Sequence, residues 1–535
     1  MFISLIQTVI IVAISLMVSY LLSMPISYFI KYEKDLPNTK LNKIENFIFK
    51  TLGINKENSM NYKEYLLSLL SLNIIFIVFD TVFLMFQNHL SFIGPNYKGI
   101  NFDLAFNTAV SFVTNTNLQH YIGETSLSLT SQMLVIITTM FIGPSTGLAT
   151  SFAFIRGFIR RGKHLGNFYV DFMRSLIFLI LPLSIISAIL LIFMGVPQNL
   201  NPFYEINSFS HQIIYSGPVA SLESIKFLGN NGGGFFGSNS ANILENPSNL
   251  SNYFEMFLML IFPLSIPLAF GRILGKKRGY TLLATILISM IITILIAEII
   301  KPVGIVSYRF GNYSAVLFNT FSMLTNTGAV DTSLAAMSYS AIIAFLFSMF
   351  IQSIPGAIGV GFMYLIVYVL LTLFILGLMV GKMPEFIGMK ISPRDVKLSV
   401  MVFLTHPLII LIPTALALTM GYAYHIFGSI NSYTYTEVLY EFTSAAANNG
   451  SSYLGNIGNT IFFNISTAIV MLLGRYLPIG LMLAISQSFA MKERKRGPEP
   501  LPTEGLLFLA VLIFMIFLLV ILTFIPFVII GPLSW

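Results

Sequence analysis

Long uninterrupted apolar segments are what most constrain the fold of this chain. A helix crossing the ~30 Å hydrocarbon core of a bilayer needs about 20 apolar residues. Only 10% of the residues are charged, against about 25% in soluble domains, so we predict an all-α polytopic membrane protein. The apolar runs lie near 4–30, 65–87, 127–155, 172–196, 250–274, 280–300, 398–424, 460–490 and 504–530, and a much longer one covers 334–380.

Basic residues are concentrated in five of the loops between these runs. By the positive-inside rule those five loops are cytoplasmic. They hold 23 of the 29 lysines and arginines: Lys31, Lys34, Lys40, Lys43, Lys50, Lys56 and Lys63; Arg156, Arg160, Arg161 and Lys163; Arg272, Lys276, Lys277 and Arg278; Lys382, Lys390, Arg394 and Lys397; Lys492, Arg494, Lys495 and Arg496.

This orientation decides how the 334–380 run is counted. Two crossings would place the basic loop 382–397 outside, against its charge, whereas one crossing gives ten transmembrane helices with both termini extracytoplasmic. The excess length predicts a break at 352–361, since proline removes a helical hydrogen bond and glycine tolerates non-helical angles. The break is either a gate or a lipid-facing kink. Its helix breakers are Pro355, Gly356, Gly359 and Gly361.

A glycine-rich stretch, Leu228 to Ser240, is flanked by segments apolar enough to enter the bilayer. Irregular backbone survives at membrane depth only where protein buries it or where it lines a wet cavity. Gly229 to Gly234 are therefore predicted to line an ion path.

The stretch has counterparts in three other loops on the outer side, each preceded by a half-helix pattern. An isolated Asn-Gly pair is more often a tight turn, and a glycine run more often a linker. Four copies in one topological slot instead favour four span–pore loop–span pseudo-repeats around a central pore. The signatures are Thr114-Asn115-Thr116-Asn117, Gly229-Asn230-Asn231-Gly232, Thr325-Asn326-Thr327-Gly328 and Asn448-Asn449-Gly450.

These residue types suit a monovalent cation. Rings of backbone carbonyls can replace the water shell of such an ion, and asparagine and glycine readily adopt the left-handed angles that direct successive carbonyls the same way. The four signatures contain no Asp or Glu, which disfavours a site of the calcium type.

Other classes of function find little support in the sequence. The chain has no cysteine, and its six histidines are scattered. The segment Gly271–Lys276 is one residue short of a phosphate-binding loop and lacks the following Ser or Thr. A polytopic membrane enzyme would need clustered His, Asp or Glu, which we do not find. The net charge of +7 lies mainly in membrane-flanking loops, so we predict no nucleic-acid partner and no organic cofactor.

The four signatures and the ten-span plan resemble the family of potassium-binding subunits of Kdp-type potassium-transporting ATPases, within the superfamily of potassium transporters. The resemblance covers the chain essentially end to end. It implies a multi-pass protein of the bacterial plasma membrane that selects extracellular K⁺ and passes it inward. The partners it implies are a P-type ATPase subunit that hydrolyses ATP, a single-span accessory subunit, and a one-helix small subunit, so this chain is not expected to be an enzyme by itself.

By motif match, the resemblance assigns twelve residues to a K⁺ selectivity filter. The first unit ends in asparagine where the others end in glycine, and Leu118 replaces an expected aromatic residue. The filter residues are Asn115, Thr116 and Asn117; Asn230, Asn231 and Gly232; Asn326, Thr327 and Gly328; Asn448, Asn449 and Gly450.

Two charges lie inside apolar runs, where they are costly and usually functional. Arg475 is either a barrier against K⁺ leak below the filter or one partner of an ion pair between helices. Asp80 could line the route, pair with Arg475, or simply hold helices together.

The units divide the chain as follows: 1–64, first helix and cytoplasmic loop; 65–164, 165–278, 279–397 and 398–496, pore repeats one to four; 497–535, last helix. The main alternative function is a stand-alone K⁺ or Na⁺ transporter of the same superfamily, driven by membrane potential.

Overall fold

The described part of the chain contains ten long apolar helices, as the sequence predicts. The computed structural model describes residues 2–34, 39–95, 97–159, 161–207, 211–299, 309–352, 355–494 and 501–534. Within those ranges, ten helices are long and apolar enough to span a membrane. We number them spans 1 to 10: Phe2–Lys31, Tyr62–Met85, Leu129–Gly157, Phe168–Phe193, Asn249–Leu274, Lys276–Ala297, Val360–Val380, Pro393–Thr419, Ile461–Ala490 and Leu506–Ile530.

Four shorter helices lie between successive pairs of these spans. They separate spans 2 and 3, 4 and 5, 6 and 7, and 8 and 9, which leaves span 1 before the first unit and span 10 after the last. The polytopic all-α fold predicted from the sequence is thus confirmed. We call these helices re-entrant helices 1 to 4: Phe102–Val113, Val219–Leu228, Asn312–Leu324 and Ser432–Ala447.

The long apolar run forms two helices rather than one. Tyr339–Ile351 ends at Gln352, which has a left-handed φ of 54°, and span 7 begins at Val360. Ser353 and Ile354, inside the predicted break, lie outside the described residues, as do Arg160, Lys495 and Arg496 of the basic loops.

The remaining elements are short. Spans 3 and 4 each contain a π-helical stretch, Gln132–Ile137 and Ser175–Ile180. Two antiparallel hairpins pair Phe203–Asn207 with His211–Tyr215 and Glu385–Phe386 with Met389–Lys390. The other helical segments are Thr39–Thr51, Gln87–Leu90, Gly123–Ser126, Asn239–Ala241, Leu334–Ala336, Tyr422–Phe427, Gly455–Gly458 and Pro532–Ser534.

The two long spans of each unit are buried to different extents. In the second spans (3, 5, 7 and 9), between 56% and 78% of the residues in the most apolar 18-residue stretch are buried inside the protein. In the first spans (2, 4, 6 and 8) the corresponding share is 33% to 50%. The second spans therefore form an inner layer against the re-entrant helices, and the first spans an outer one. Spans 1 and 10, at 28% and 33%, are peripheral.

A fully buried ion pair joins four spans at one end of the bundle. Arg156 of span 3 makes two hydrogen bonds to the Asp171 carboxylate of span 4, at 2.6 and 2.5 Å. The Arg156 Nε also donates to the Ile30 carbonyl of span 1 at 2.9 Å, and the Tyr65 hydroxyl of span 2 donates to Asp171 at 3.0 Å. Since both charges are fully buried, each depends on the other for compensation.

Replacing Arg156 with Met should destabilise the protein by about 3–5 kcal/mol, because Asp171 would be left buried and unpaired. The measurement is the thermal unfolding midpoint of the detergent-purified chain. The double variant Arg156→Met/Asp171→Leu removes both charges and should recover a large part of the loss. Equal midpoints for the single and double variants would contradict this account.

Candidate functional site

The four predicted signatures directly follow the four re-entrant helices and share one backbone shape. We call these segments re-entrant loops 1 to 4: residues 114–117, 229–232, 325–328 and 447–450. The second residue of every loop is an asparagine in the left-handed region, with φ of 61°, 50°, 51° and 53° for Asn115, Asn230, Asn326 and Asn448. Asparagine tolerates this region better than other residues with a side chain do.

The same backbone hydrogen bonds close each turn. The second residue donates to the carbonyl three positions earlier, at 3.2 to 3.3 Å in all four loops. The third residue donates to the carbonyl five positions earlier. These latter bonds are Thr116 to Ser111, Asn231 to Lys226, Thr327 to Ser322 and Asn449 to Ser444, at 2.9, 2.8, 2.8 and 2.9 Å. The loops are thus four copies of one structure despite their different sequences.

Glycine at the fourth position allows neighbouring loops to touch. Gly232, Gly328 and Gly450 have φ of 103°, 85° and 95°, and each lies against the third carbonyl of the next loop. A Cβ would lie 1.7 Å from the Thr327 oxygen at Gly232, 2.0 Å from the Asn449 oxygen at Gly328 and 1.8 Å from the Thr116 oxygen at Gly450. No side chain fits at these three positions without moving a carbonyl of the neighbouring loop.

Asn117 occupies the fourth position of loop 1 and closes the circle. Its φ is 60°, and its Nδ2 donates to the Asn231 Oδ1 of loop 2 at 3.1 Å. Loops 1 to 4 therefore contact one another in cyclic order, with loop 4 returning to loop 1. In the first unit, where asparagine replaces glycine as the sequence shows, the contact to the next loop is made by the Asn117 side chain. In the other three units it is made by the backbone of the glycine.

The second-position asparagines link the loops in the same direction. The side-chain amide of each asparagine donates a hydrogen bond to the next loop in the circle. The bonds are Asn115 to the Asn230 carbonyl, Asn230 to the Thr327 hydroxyl, Asn326 to the Ala447 carbonyl and Asn448 to the Thr116 hydroxyl, at 2.9, 3.1, 3.1 and 2.9 Å. The structure thus brings all twelve predicted filter residues into one ring, in which every member except the partly exposed Gly450 is buried.

Buried polar groups on the re-entrant helices hold the chain that leaves each loop. Glu441 on helix 4 accepts bonds from the Tyr453 and Leu454 amides at 3.0 and 3.2 Å, and from His120 at 3.1 Å. On re-entrant helix 3, the Asn319 side chain accepts a hydrogen bond from the Asp331 amide at 3.2 Å and donates one to the Thr332 carbonyl at 3.0 Å.

On re-entrant helix 2, charged groups hold the chain that leaves the loop. The Lys226 ammonium contacts Glu223 at 3.0 Å and Glu245 at 2.7 Å, all three fully buried. Glu245 in turn accepts from the Phe236 amide at 2.8 Å. Sequence reasoning missed these anchors, although acids and a lysine inside apolar patterns were a usable signal.

The rest of the glycine-rich stretch turns the chain away from the ring. Gln119 exchanges two hydrogen bonds with Gly234, at 2.9 and 3.1 Å, and Asn239 donates to the Gly232 carbonyl at 2.7 Å. Glu124 accepts from the Gly237 amide at 2.7 Å. Burial raises the pKa of the Glu124 carboxyl, and that amide bond opposes the rise.

The predicted break in the long run lies next to the ring. The Gly356 amide donates to the Leu324 carbonyl, the last residue of re-entrant helix 3, at 2.9 Å. A Cβ at Gly359 would lie 2.3 Å from the Gly147 carbonyl of span 3, and one at Gly361 would lie 2.4 Å from the Pro355 carbonyl. These glycines therefore allow the broken segment to pack against two inner elements.

Arg475 lies beside this segment and is 2% exposed. Its Nη2 donates to the Gly143 carbonyl of span 3 at 3.2 Å. Gly147, one turn further along span 3, faces both Arg475 and the break: a Cβ placed there would lie 3.1 Å from the Arg475 Nη2 and 2.5 Å from the Ile358 carbonyl oxygen. The adjacent Gly474 packs against the Ala446 carbonyl of re-entrant helix 4. Arg475 thus lies between span 3, the break and the base of one re-entrant helix.

Asp80 and Arg475 are not among the ion pairs found in the described ranges. Both Asp80 carboxylate oxygens are buried without a hydrogen-bond partner in that part of the chain. No group of three His, Asp or Glu arranged to hold a metal ion occurs in the described residues either. The polar groups that converge at the ring are backbone carbonyls, amides and hydroxyls.

In the described part of the chain, ten spans and four re-entrant units that close into one ring define a polytopic membrane protein. The fold is shared with the crystal structure of the potassium transporter TrkH from Vibrio parahaemolyticus, with a TM-score of 0.57 at 14% identity, over 90% of this chain and 98% of the other.

The chain belongs to the family of the potassium-transporting ATPase A subunit, whose sequence model matches residues 9–534. It is 39% identical to the potassium-transporting ATPase potassium-binding subunit of Caldanaerobacter subterraneus subsp. tengcongensis, over 92% of this chain and 91% of that one. The subunits of the same name from Clostridium acetobutylicum and Geobacillus kaustophilus are 38% and 37% identical, over 98% and 94% of each chain. The family resemblance predicted from the sequence is confirmed.

Substitutions at Asn448 should separate the backbone and side-chain roles of the second position. Asn448→Gly keeps the left-handed angle and loses only the bonds to Thr116 and to the Met471 carbonyl. Asn448→Ala loses the same bonds and adds strain, so it should be about 1 kcal/mol less stable than the glycine variant. Thermal unfolding in detergent measures both, and an alanine variant as stable as the glycine variant would contradict the left-handed constraint.

Proposed function

We propose that this chain binds and selects extracellular K⁺ and passes it inward, as the channel-like subunit of an ATP-driven potassium uptake complex. The observation that carries the proposal is the closed ring of four re-entrant loops, each with left-handed asparagine and three with glycine against a neighbouring carbonyl. A ring of backbone oxygens replaces the hydration shell of K⁺ without the tight binding of carboxylates.

The selectivity filter in this proposal consists of the twelve ring residues. The carbonyl ends of the re-entrant helices, which stop directly before the loops, add the negative end of four helix dipoles to the attraction for a cation. K⁺ is the transported ion in this scheme, and its discrimination from Na⁺ comes from the spacing of the carbonyls.

Arg475 and the break are the proposed control point below the filter. A buried cation next to an ion route raises the electrostatic barrier to a second cation. Pro355, Gly356, Gly359 and Gly361 form the gating segment, because they keep non-helical backbone against re-entrant helix 3 and span 3.

The relatives are named as subunits of a potassium-transporting ATPase, and we propose the same assembly for this chain. ATP hydrolysis then occurs on a P-type ATPase partner, and the complex is completed by a single-span accessory subunit, together with a one-helix small subunit. The proposed location is the bacterial plasma membrane, with both termini extracytoplasmic and the five basic loops inside. Family membership favours this assembly over the stand-alone transporter driven by membrane potential.

Gly232→Asp tests the filter assignment. The added side chain would displace the Thr327 carbonyl and bring a charge into the ring, so K⁺ over Na⁺ discrimination in uptake should fall by at least about ten-fold, equivalent to ~1.4 kcal/mol. Uptake of K⁺, Rb⁺ and Na⁺ by the assembled complex is the measurement. Gly421→Asp is the matched control, since Gly421 also has positive φ, at 83°, but nothing lies within 4 Å of its Cβ position. Unchanged discrimination in Gly232→Asp would refute the assignment.

Arg475→Ala tests the barrier. Loss of the buried positive charge should raise ATP-independent K⁺ leak several-fold in proteoliposomes, whereas Arg475→Lys keeps a charge at the position and should leak much less. An alanine variant with the leak of the unmodified complex would show that Arg475 is only structural.

A further inference from the structure

The helix Thr39–Thr51 presents an exposed face where basic and apolar side chains lie together. Phe47 is 74% exposed and Ile44 is 52% exposed, and Lys43 and Lys50 are also exposed. With 3.6 residues per turn, these three neighbours all lie within about 60° of Phe47 around the helix axis. A mixed face of this kind is unlike an ordinary solvated surface, because a phenylalanine exposed to this extent in water is unfavourable.

The opposite face of the same helix is fixed to the transmembrane bundle. Glu45 is fully buried and accepts hydrogen bonds from Arg174 of span 4 at 3.0 and 2.7 Å. Phe49 is buried next to it, with the Lys56 ammonium 5.3 Å from its ring. The exposed face of the helix therefore has a defined direction and cannot rotate inward to hide Phe47.

Its anchors place the helix at the membrane boundary. Arg174 is the seventh residue of span 4, about 9 Å from the start of that span along its axis, and its Nη1 donates to the Tyr32 carbonyl, one residue after span 1 ends, at 2.6 Å. Leu21 and Met24, near the same end of span 1, are 57% and 44% exposed on the outside of the bundle. The helix is therefore anchored at the end of the bundle where span 1 ends and span 4 begins.

We propose that Thr39–Thr51 is an interfacial helix that binds anionic phospholipid. Phe47 and Ile44 enter the boundary between headgroups and acyl chains, and Lys43 and Lys50 contact the phosphate groups. Charge complementarity supports a lipid occupant, since residues 31–63 contain seven lysines and four acids. Glu45 is paired with Arg174 and Lys56, and Glu57 with Lys34, so Lys34 and Lys56 are compensated within the protein, whereas Lys43 and Lys50 are exposed. Lysines flanking aromatic and aliphatic side chains are typical of helices that lie in a membrane surface. This site is separate from the ion path and does not depend on the proposed function.

Fluorescence quenching in nanodiscs tests the proposal with the full-length chain. The sequence has a single tryptophan, so Trp535→Phe combined with Phe47→Trp leaves one reporter at position 47. Discs of phosphatidylcholine with a minor fraction of phosphatidylglycerol are prepared with acyl-chain bromine on one lipid or the other, at equal mole fraction of brominated lipid. Brominated phosphatidylglycerol should quench residue 47 about two-fold more than brominated phosphatidylcholine does, because the lysines enrich the anionic lipid locally.

Adding Lys43→Gln and Lys50→Gln to the reporter chain should bring this ratio down to about one. Lys276→Gln with Lys277→Gln is the matched control, since it removes the same charge at two exposed positions and should leave the ratio high. Equal quenching by the two lipids in the unmodified reporter would overturn the anionic preference. No quenching by either lipid would show that the face lies in water or against protein, and would overturn the interfacial position.

Discussion

Backbone that leaves a helix within a membrane must find hydrogen-bond partners in the protein, because lipid offers none. In this chain the four re-entrant loops meet that constraint jointly. Each turn closes on its own helix through bonds that recur in all four copies, and each second-position asparagine then donates to the next loop. The inner spans, the three glycines at the fourth position and the buried anchors all help to seat the backbone of this ring inside the protein.

The ring has a fourfold plan, but its supports are not fourfold. Glu441 with His120 holds one loop, Asn319 another, and the Lys226 cluster a third. Asn117 replaces a backbone contact by a side-chain contact. One chain that encodes all four units can vary each support separately, whereas a tetramer of identical subunits must use one support four times. The invariant part is the left-handed asparagine at the second position, and the supports behind it are free to differ.

Local sequence predicted the parts of the structure that depend on local physics. Apolar length predicted the ten spans, and Asn and Gly at Asn230 and Gly232 predicted left-handed backbone. Sequence could not reveal that Gly232 faces Thr327 or that Asn448 reaches Thr116, because those contacts join residues far apart in the chain. Arg475 shows the same limit: its charge in an apolar run marked it as unusual, but the carbonyl that accepts its hydrogen bond belongs to Gly143, 332 residues away.

The contact between loops 4 and 1 also orders events during biosynthesis. Thr116 is among the first ring residues to leave the ribosome, yet the amide that bonds to its hydroxyl belongs to Asn448, 332 residues later. Until the fourth unit is inserted, the first loop lacks the contacts that loop 4 makes with it, namely the Asn448 amide on the Thr116 hydroxyl and Gly450 against the Thr116 carbonyl. Nascent chains that stop before this point carry an uncompensated polar surface in the membrane, which distinguishes them physically from the finished protein and offers membrane quality control a feature to recognise.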